Sequence, residues 1–175
     1  MPSDTCHLYI ALDRKRDDPN NTNKIALRQI IKNPEKDIEI IKNKCRTCYP
    51  DKTFRIYRTV NRRSYLKAFK AFQHRLLEDP DISRIDSLWK TCLLNPKCKA
   101  ERFFLLDIDT DDPTPCIDWL RTHNIDIVEY VKTPNGYHIV TPPFDPRIFE
   151  IPNVEIPNVE IKKDALIFIS EVEKK

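Results

Sequence analysis

Two aspartates, Asp107 and Asp109, stand one residue apart at the end of the apolar run in FFLLDIDTDD, residues 103–112. An apolar run that gives way to alternating Asp107, Ile108 and Asp109 predicts a buried strand whose end emerges at an edge. Alternation along that strand would aim both carboxylates from one face and turn Ile108 toward the core. Held about 4 Å apart at an effective dielectric of about 20, they would repel by roughly 4 kcal/mol. A divalent cation offsets such repulsion, and hard oxygen donors suit Mg²⁺ or Mn²⁺. The alternative is a strand that simply ends in a polar loop closed by Pro113. Two other chemistries fit the same residues poorly. A calcium loop starting at Asp107 would need Gly where Asp112 stands, and a phosphatase of the haloacid dehalogenase type would want Thr where Asp111 stands.

A chain of 175 residues suffices for a real core in one domain or two closely packed halves. No apolar run approaches the ~18 residues of a membrane span, and the opening MPSDTCHLYI lacks a signal-peptide pattern. The expectation is a soluble, cytoplasmic protein whose six cysteines are thiols or metal ligands rather than a disulfide framework. Net charge is only +3, but its distribution is uneven: between Lys52 and Leu77 there is no acid, while Arg58, Arg62, Arg63, Lys67 and Lys70 fall inside. That stretch could be a solvated helix face or a phosphate-binding surface.

The elements that must position these groups follow from pattern. Cys6–Leu12 predicts an opening strand before the polar loop DRKRDDPNNTN. A helix is expected from Asn23, with Ile25, Leu27, Ile30 and Ile31 apolar, and further turns after Pro34 through Ile38, Ile40 and Ile41. Lys52–Val60 predicts a strand. Ser64 would cap a helix with a core stripe of Tyr65, Leu66, Phe69, Phe72 and Leu76. A short helix over Ile82–Leu94, with Ile85, Leu88 and Trp89 inward, leads to the central strand. After it, Pro113-Thr114-Pro115 opens a helix, and Ile125–Thr133 with Tyr137–Thr141 form a hairpin about Pro134-Asn135-Gly136, the site of the chain's single Gly. A turn near Arg147–Phe149, the duplicated IPNVE and a last strand, Ala165–Ser170, complete the chain. The fold class expected is α+β in two mixed α/β parts. Residues 1–102 would form an N-terminal module with a basic face. Residues 103–175 would form an RRM-like or ferredoxin-like βαββαβ sheet carrying the site.

Gly136-Tyr137-His138 places an imidazole on the strand expected beside the Asp pair. Alone, this is an Asn-Gly turn followed by an incidental histidine. Taken with LLDID and Val159-Glu160-Ile161-Lys162, in that order, it resembles the archaeo-eukaryotic primase superfamily, which includes primase-polymerases. Its motifs are a strand ending in DxD or DxE, a small residue two before His, and a late hydrophobic-acid pair followed by a base. Glu160 departs from the more usual Asp, and Glu155 and Asp164 are rival third acids.

The resemblance implies a nucleotidyltransferase that copies a single-stranded DNA template by two-metal chemistry. Asp107, Asp109 and Glu160 would hold Mg²⁺ or Mn²⁺. His138, Gly136, Lys162 and Lys132 would bind the nucleoside triphosphate, and Arg58, Arg62, Arg63, Lys67 and Lys70 the template backbone. A helicase or other replication partner would be expected. Structural zinc on Cys45, Cys48, Cys92 and Cys98 is a further expectation, from the CxxC spacing of the first pair and the zinc some primase relatives carry. Cys6 and Cys116 are expected as small buried hydrophobes. The competing functions are a non-catalytic RRM-like module for single-stranded nucleic acid and a metal-dependent nuclease or phosphohydrolase using the same acids.

Overall fold

The computed structural model describes residues 4–13, 26–31, 34–78, 81–149 and 159–173. Its architecture is α+β, with four α-helices and two antiparallel sheets among these residues. Two compact units divide it: one runs to Glu101 and resumes at Ile169, and the other is Arg102–Phe168. No described helix is long and apolar enough to cross a membrane.

In the first unit, β1 (Thr5–Asp13) pairs antiparallel with β2 (Ala26–Ile31) and with β3 (Phe54–Thr59). The short β4 (Arg63–Ser64) also pairs with β1, and β9 (Leu166–Val172) lies on the far side of β3. A central strand is covered on both faces, and Leu8 to Ala11 are all buried. Tyr9 and Ala11 join Ile31, Phe54, Ile56 and Val172 in a cluster closed by Ile41 and Cys45 of α1 (Pro34–Cys48). These two lie four residues apart, on one helix face. On the other side Cys6 packs with Ala68, Leu93 and Cys98.

The expected helix at Leu27–Ile31 is instead β2; its proposed start, Asn23 to Ile25, lies outside the described residues, as does most of the loop before it. The β-branched pair Ile30-Ile31 suits a strand, and pairing opposite β1 outweighs a helical spacing supported by few residues.

Ser64 does cap α2 (Tyr65–Glu78), its Oγ accepting the Lys67 N–H at 3.3 Å. The buried residue of that helix, however, is Ala68, while Leu66 and Phe69 are 63% and 48% exposed. Close approach runs through the small side chain, and the expected stripe is wider than the surface available to cover it. Tyr65 and Phe72 pack beside it against Trp89 of α3 (Ile85–Leu94). A 3₁₀ turn, Ile82–Arg84, precedes α3, which buries Cys92 and Leu93 and leaves Ile85 exposed.

The second unit runs β5 (Phe104–Ile108), α4 (Thr114–Thr122), β6 (Glu129–Thr133), β7 (Gly136–Thr141), a 3₁₀ turn (Pro146–Phe149) and β8 (Val159–Lys162). The sheet order is β6-β7-β5-β8, antiparallel throughout. One face, with Leu106, Ile108 and Ile139, packs on Cys116, Trp119 and Leu120 of α4. The helix stops at Asn124, whose φ of +52° is the left-handed conformation that Asn tolerates. Strand pairing then begins at Glu129 rather than at Ile125.

Candidate functional site

β5 lies between β7 and β8, and one register position gathers three of the candidate residues. Asp107 is directly opposite His138 on one side and Glu160 on the other. Opposed residues of antiparallel strands project from the same face, so the three form a row across three strands, on the face away from α4. Lys162, two residues beyond Glu160, shares that face.

His138 Nε2 lies 3.3 Å from Asp107 Oδ1. Lys162 Nζ lies 2.6 Å from Asp107 Oδ2 and 3.0 Å from Glu160 Oε2. The imidazole is buried, and its Nδ1 accepts the backbone N–H of Phe168 at 3.0 Å. Nδ1 is therefore the acceptor nitrogen, and Nε2 carries its proton toward Asp107. The His138 hydrogen bond, with help from Lys162 and against partial burial, holds the Asp107 carboxyl down at about 2. Burial works against the Lys162 charge, but its bonds to Asp107 and Glu160 leave the ammonium titrating above its ordinary value.

Gly136 explains the approach of the hairpin. A Cβ there would meet Ile108 O at 1.9 Å and Thr110 N at 3.1 Å, and its φ of +154° is one that side chains avoid. The turn thus packs directly on the backbone where β5 ends. Among the described residues pairing ends at Ile108, opposite Tyr137 and Val159, so Asp109 is exposed just past the strand. The strand expected to carry both aspartates carries Asp107 and ends one residue before Asp109. Beyond it, Thr110 Oγ1 donates to Asp112 O and Asp112 Oδ1 accepts the Thr114 N–H, each at 2.9 Å, fixing the loop into α4.

Other expected nucleotide and metal groups are placed differently. Lys132 pairs with Tyr137, one position off the His138 row, and so belongs to the opposite face. Asp164 lies in the bend after β8, and Glu155 lies outside the described residues. Among the described residues, no three of His, Cys, Asp and Glu converge as metal ligands. What Asp107 and Glu160 do share is the Lys162 ammonium. All-oxygen donors meeting at one cation are chemically suited to Mg²⁺ or Mn²⁺. The zinc quartet does not assemble: Cys45 packs with Tyr9 and Phe54, Cys98 with Ala68 and Leu93, and Cys48 is exposed. Burial, with the neighbouring Cys48, pushes the Cys45 thiol up to about 11. Burial likewise pushes Cys92 and Cys98 up, so these three are thiols rather than ready thiolates.

The basic residues of the first unit fall into two groups. Arg62, Lys67 and Lys70 are exposed, with Lys67 Nζ donating to Lys99 O at 2.8 Å and Arg62 Nε 3.7 Å from Glu101. Arg63 is only 2% exposed, paired into β4, and cannot grip an external phosphate backbone as expected. Arg58 is half-buried, and its Nη1 donates to His7 Nε2 at 3.3 Å. His7 in turn donates Nδ1–H to Thr59 O at 2.8 Å. Burial, then the Arg58 charge, lower the His7 imidazole to about 4. His7 belongs to no distinguishing motif; only its place on the strand beside β3 brings it to Arg58. Comparison of the chain with family models, curated proteins and solved structures finds no match.

Proposed function

We propose that the chain is a metal-dependent nucleotidyltransferase of primase-polymerase type, acting on a single-stranded DNA template. The observation that carries this reading is the register row: Asp107, His138 and Glu160, one from each resemblance motif, stand side by side on three adjacent strands. The order strand, helix, strand, strand, turn, strand, with sheet order β6-β7-β5-β8, supports an RRM-like catalytic unit. In this reading Asp107 and Glu160, joined by Asp109 from the adjoining loop, hold the metal. When bound, the ion supplies Lewis acidity to activate a 3′-hydroxyl and to steady a leaving pyrophosphate. His138 orients Asp107 through Nε2–H rather than binding the triphosphate freely, since both ring nitrogens are engaged. Lys162 supplies positive charge for the incoming phosphates. Arg62, Lys67 and Lys70 hold template phosphates.

A second reading is favoured by Lys162, which already neutralises the Asp107 and Glu160 pair: a non-catalytic module that binds single-stranded nucleic acid. Incorporation of labelled nucleotides on a single-stranded template, with and without primer and with Mn²⁺, separates the two. Incorporation by the wild type that Asp107→Ala/Asp109→Ala abolishes supports the transferase. A folded wild type that binds the strand but incorporates nothing leaves the binding module. Shortening of the strand would instead indicate a nuclease.

A further inference from the structure

A cavity of about 220 Å³ opens in the first unit between β2, α1 and α3, away from the carboxylate row in sequence and in element. Leu27 and Ile41 contribute apolar lining, and Arg28, Lys44 and Lys90 contribute three cations against one acid, Asp86. Lys90 is matched by Asp86 at 2.8 Å. Arg28 is held differently: Nη1 donates to Thr91 Oγ1 at 3.1 Å and Nη2 reaches Ser87 Oγ at 3.5 Å. The Thr91 hydroxyl spends its own proton on Ser87 O at 2.8 Å, which leaves its lone pairs for the guanidinium. Neutral oxygens thus orient Arg28 without cancelling its charge. Among the described residues, no carboxylate pairs with Arg28 or Lys44.

We propose that this cavity, with Arg28 and Lys44 as its uncompensated cations, is a binding site for a phosphoryl group bearing two or more negative charges, a phosphate monoester or pyrophosphate. Two unmatched positive charges fit two negative ones. Phosphodiesters carry one charge per phosphate and match the site less well. Drug-sized and cofactor ligands fill pockets of about 300–1,000 Å³, so this smaller space takes a phosphoryl or pyrophosphoryl group rather than a whole nucleotide. The guanidinium, forked and already oriented, loses little freedom on gripping such a group. This inference stands apart from the nucleotidyltransferase reading and uses none of its residues.

The test is an amide NMR titration of the full chain with inorganic pyrophosphate and, separately, with a dinucleoside monophosphate carrying only a diester. The expected result is saturable shifts centred on Arg28, Ser87 and Lys90 with pyrophosphate, and at least tenfold weaker binding of the diester. Arg28→Gln/Lys44→Gln should weaken pyrophosphate binding tenfold or more with an unchanged circular dichroism spectrum. Should the double variant fail to fold, Lys44→Gln, on an exposed helix position, should weaken it about threefold. Shifts that do not saturate, that spread equally over Arg62, Lys67 and Lys70, or that persist undiminished in the folded variant overturn the proposal. Equal affinity for the singly charged diester overturns the assignment to a multiply charged phosphoryl group.

Discussion

Phe168 donates its backbone N–H to Nδ1 of His138 at 3.0 Å, and that contact decides which nitrogen faces Asp107. With Nδ1 occupied as an acceptor, Nε2–H is the donor toward the carboxylate. The His138 bond is the largest influence lowering Asp107, ahead of Lys162. His138→Ala should therefore raise the Asp107 pKa more than Lys162→Met does. Carboxyl ¹³C shifts followed against pH measure both, and an equal or reversed order would show that the ammonium governs the site.

His7 makes the protein acid-sensitive well above the carboxylate range. Its folded value, about 4, lies below the usual 6.5, so between these values the unfolded chain binds the proton that the folded chain refuses. This stability is fully present above pH 6.5 and is lost as pH falls toward 4, by on the order of 2–3 kcal/mol. Urea unfolding at pH 7 and pH 4.5 should show that loss in the wild type and a smaller one in His7→Asn, whose amide can still donate to Thr59. Asp107 adds a separate, later loss, since a depressed carboxyl contributes above its unfolded value near 3.8 and is lost as pH falls to about 2.

Gly136→Ala is expected to cost about 3 kcal/mol or more, because the clash is with backbone and the φ is unfavourable. Chemical denaturation gives the magnitude. Amide shifts for Ile108 to Thr110 should move, since those atoms must yield. Nucleotide incorporation, where the wild type has it, should fall further than the stability loss alone accounts for, as Asp109 lies in the displaced segment.

Exposure along α2 narrows the expected apolar stripe, since Leu66 and Phe69 are exposed while Tyr65 and Phe72 pack against Trp89. Leu66→Ser or Phe69→Ser should change stability by under about 1 kcal/mol, whereas Ala68→Leu should destabilise by about 1–3 kcal/mol through overpacking. Thermal melts of the three variants check this. A costly Phe69→Ser would mean that the ring is covered in solution.

Much of the second unit was legible because its signals are local: an apolar run ending in acids, Pro before a helix, Asn-Gly in a hairpin. That His138 stands on the strand beside Asp107 followed from motif order once the hairpin was recognised, whereas the pairing of Glu160 opposite Asp107 is seen only in the register of β8. Three other things were not legible, for distinct reasons. Ala26–Ile31 has a composition that suits helix or strand, and only its partner β1 decides. Asp109 lies just past the end of β5, and where a ladder ends is a property of strand register rather than of local composition. Arg63 looked like part of a basic surface because charge is visible in a sequence and burial is not.

The return of the chain at Ile169 makes the first unit discontinuous and the second, Arg102–Phe168, an uninterrupted insert. A fragment ending at Glu101 would lose the strand flanking β3 together with Val172, which is 2% exposed among Tyr9, Phe54 and Ile56. It would also strip Arg55 of its partner Glu171, 3.2 Å away. The half of the molecule that is translated first therefore cannot finish folding until the half that follows it has been made.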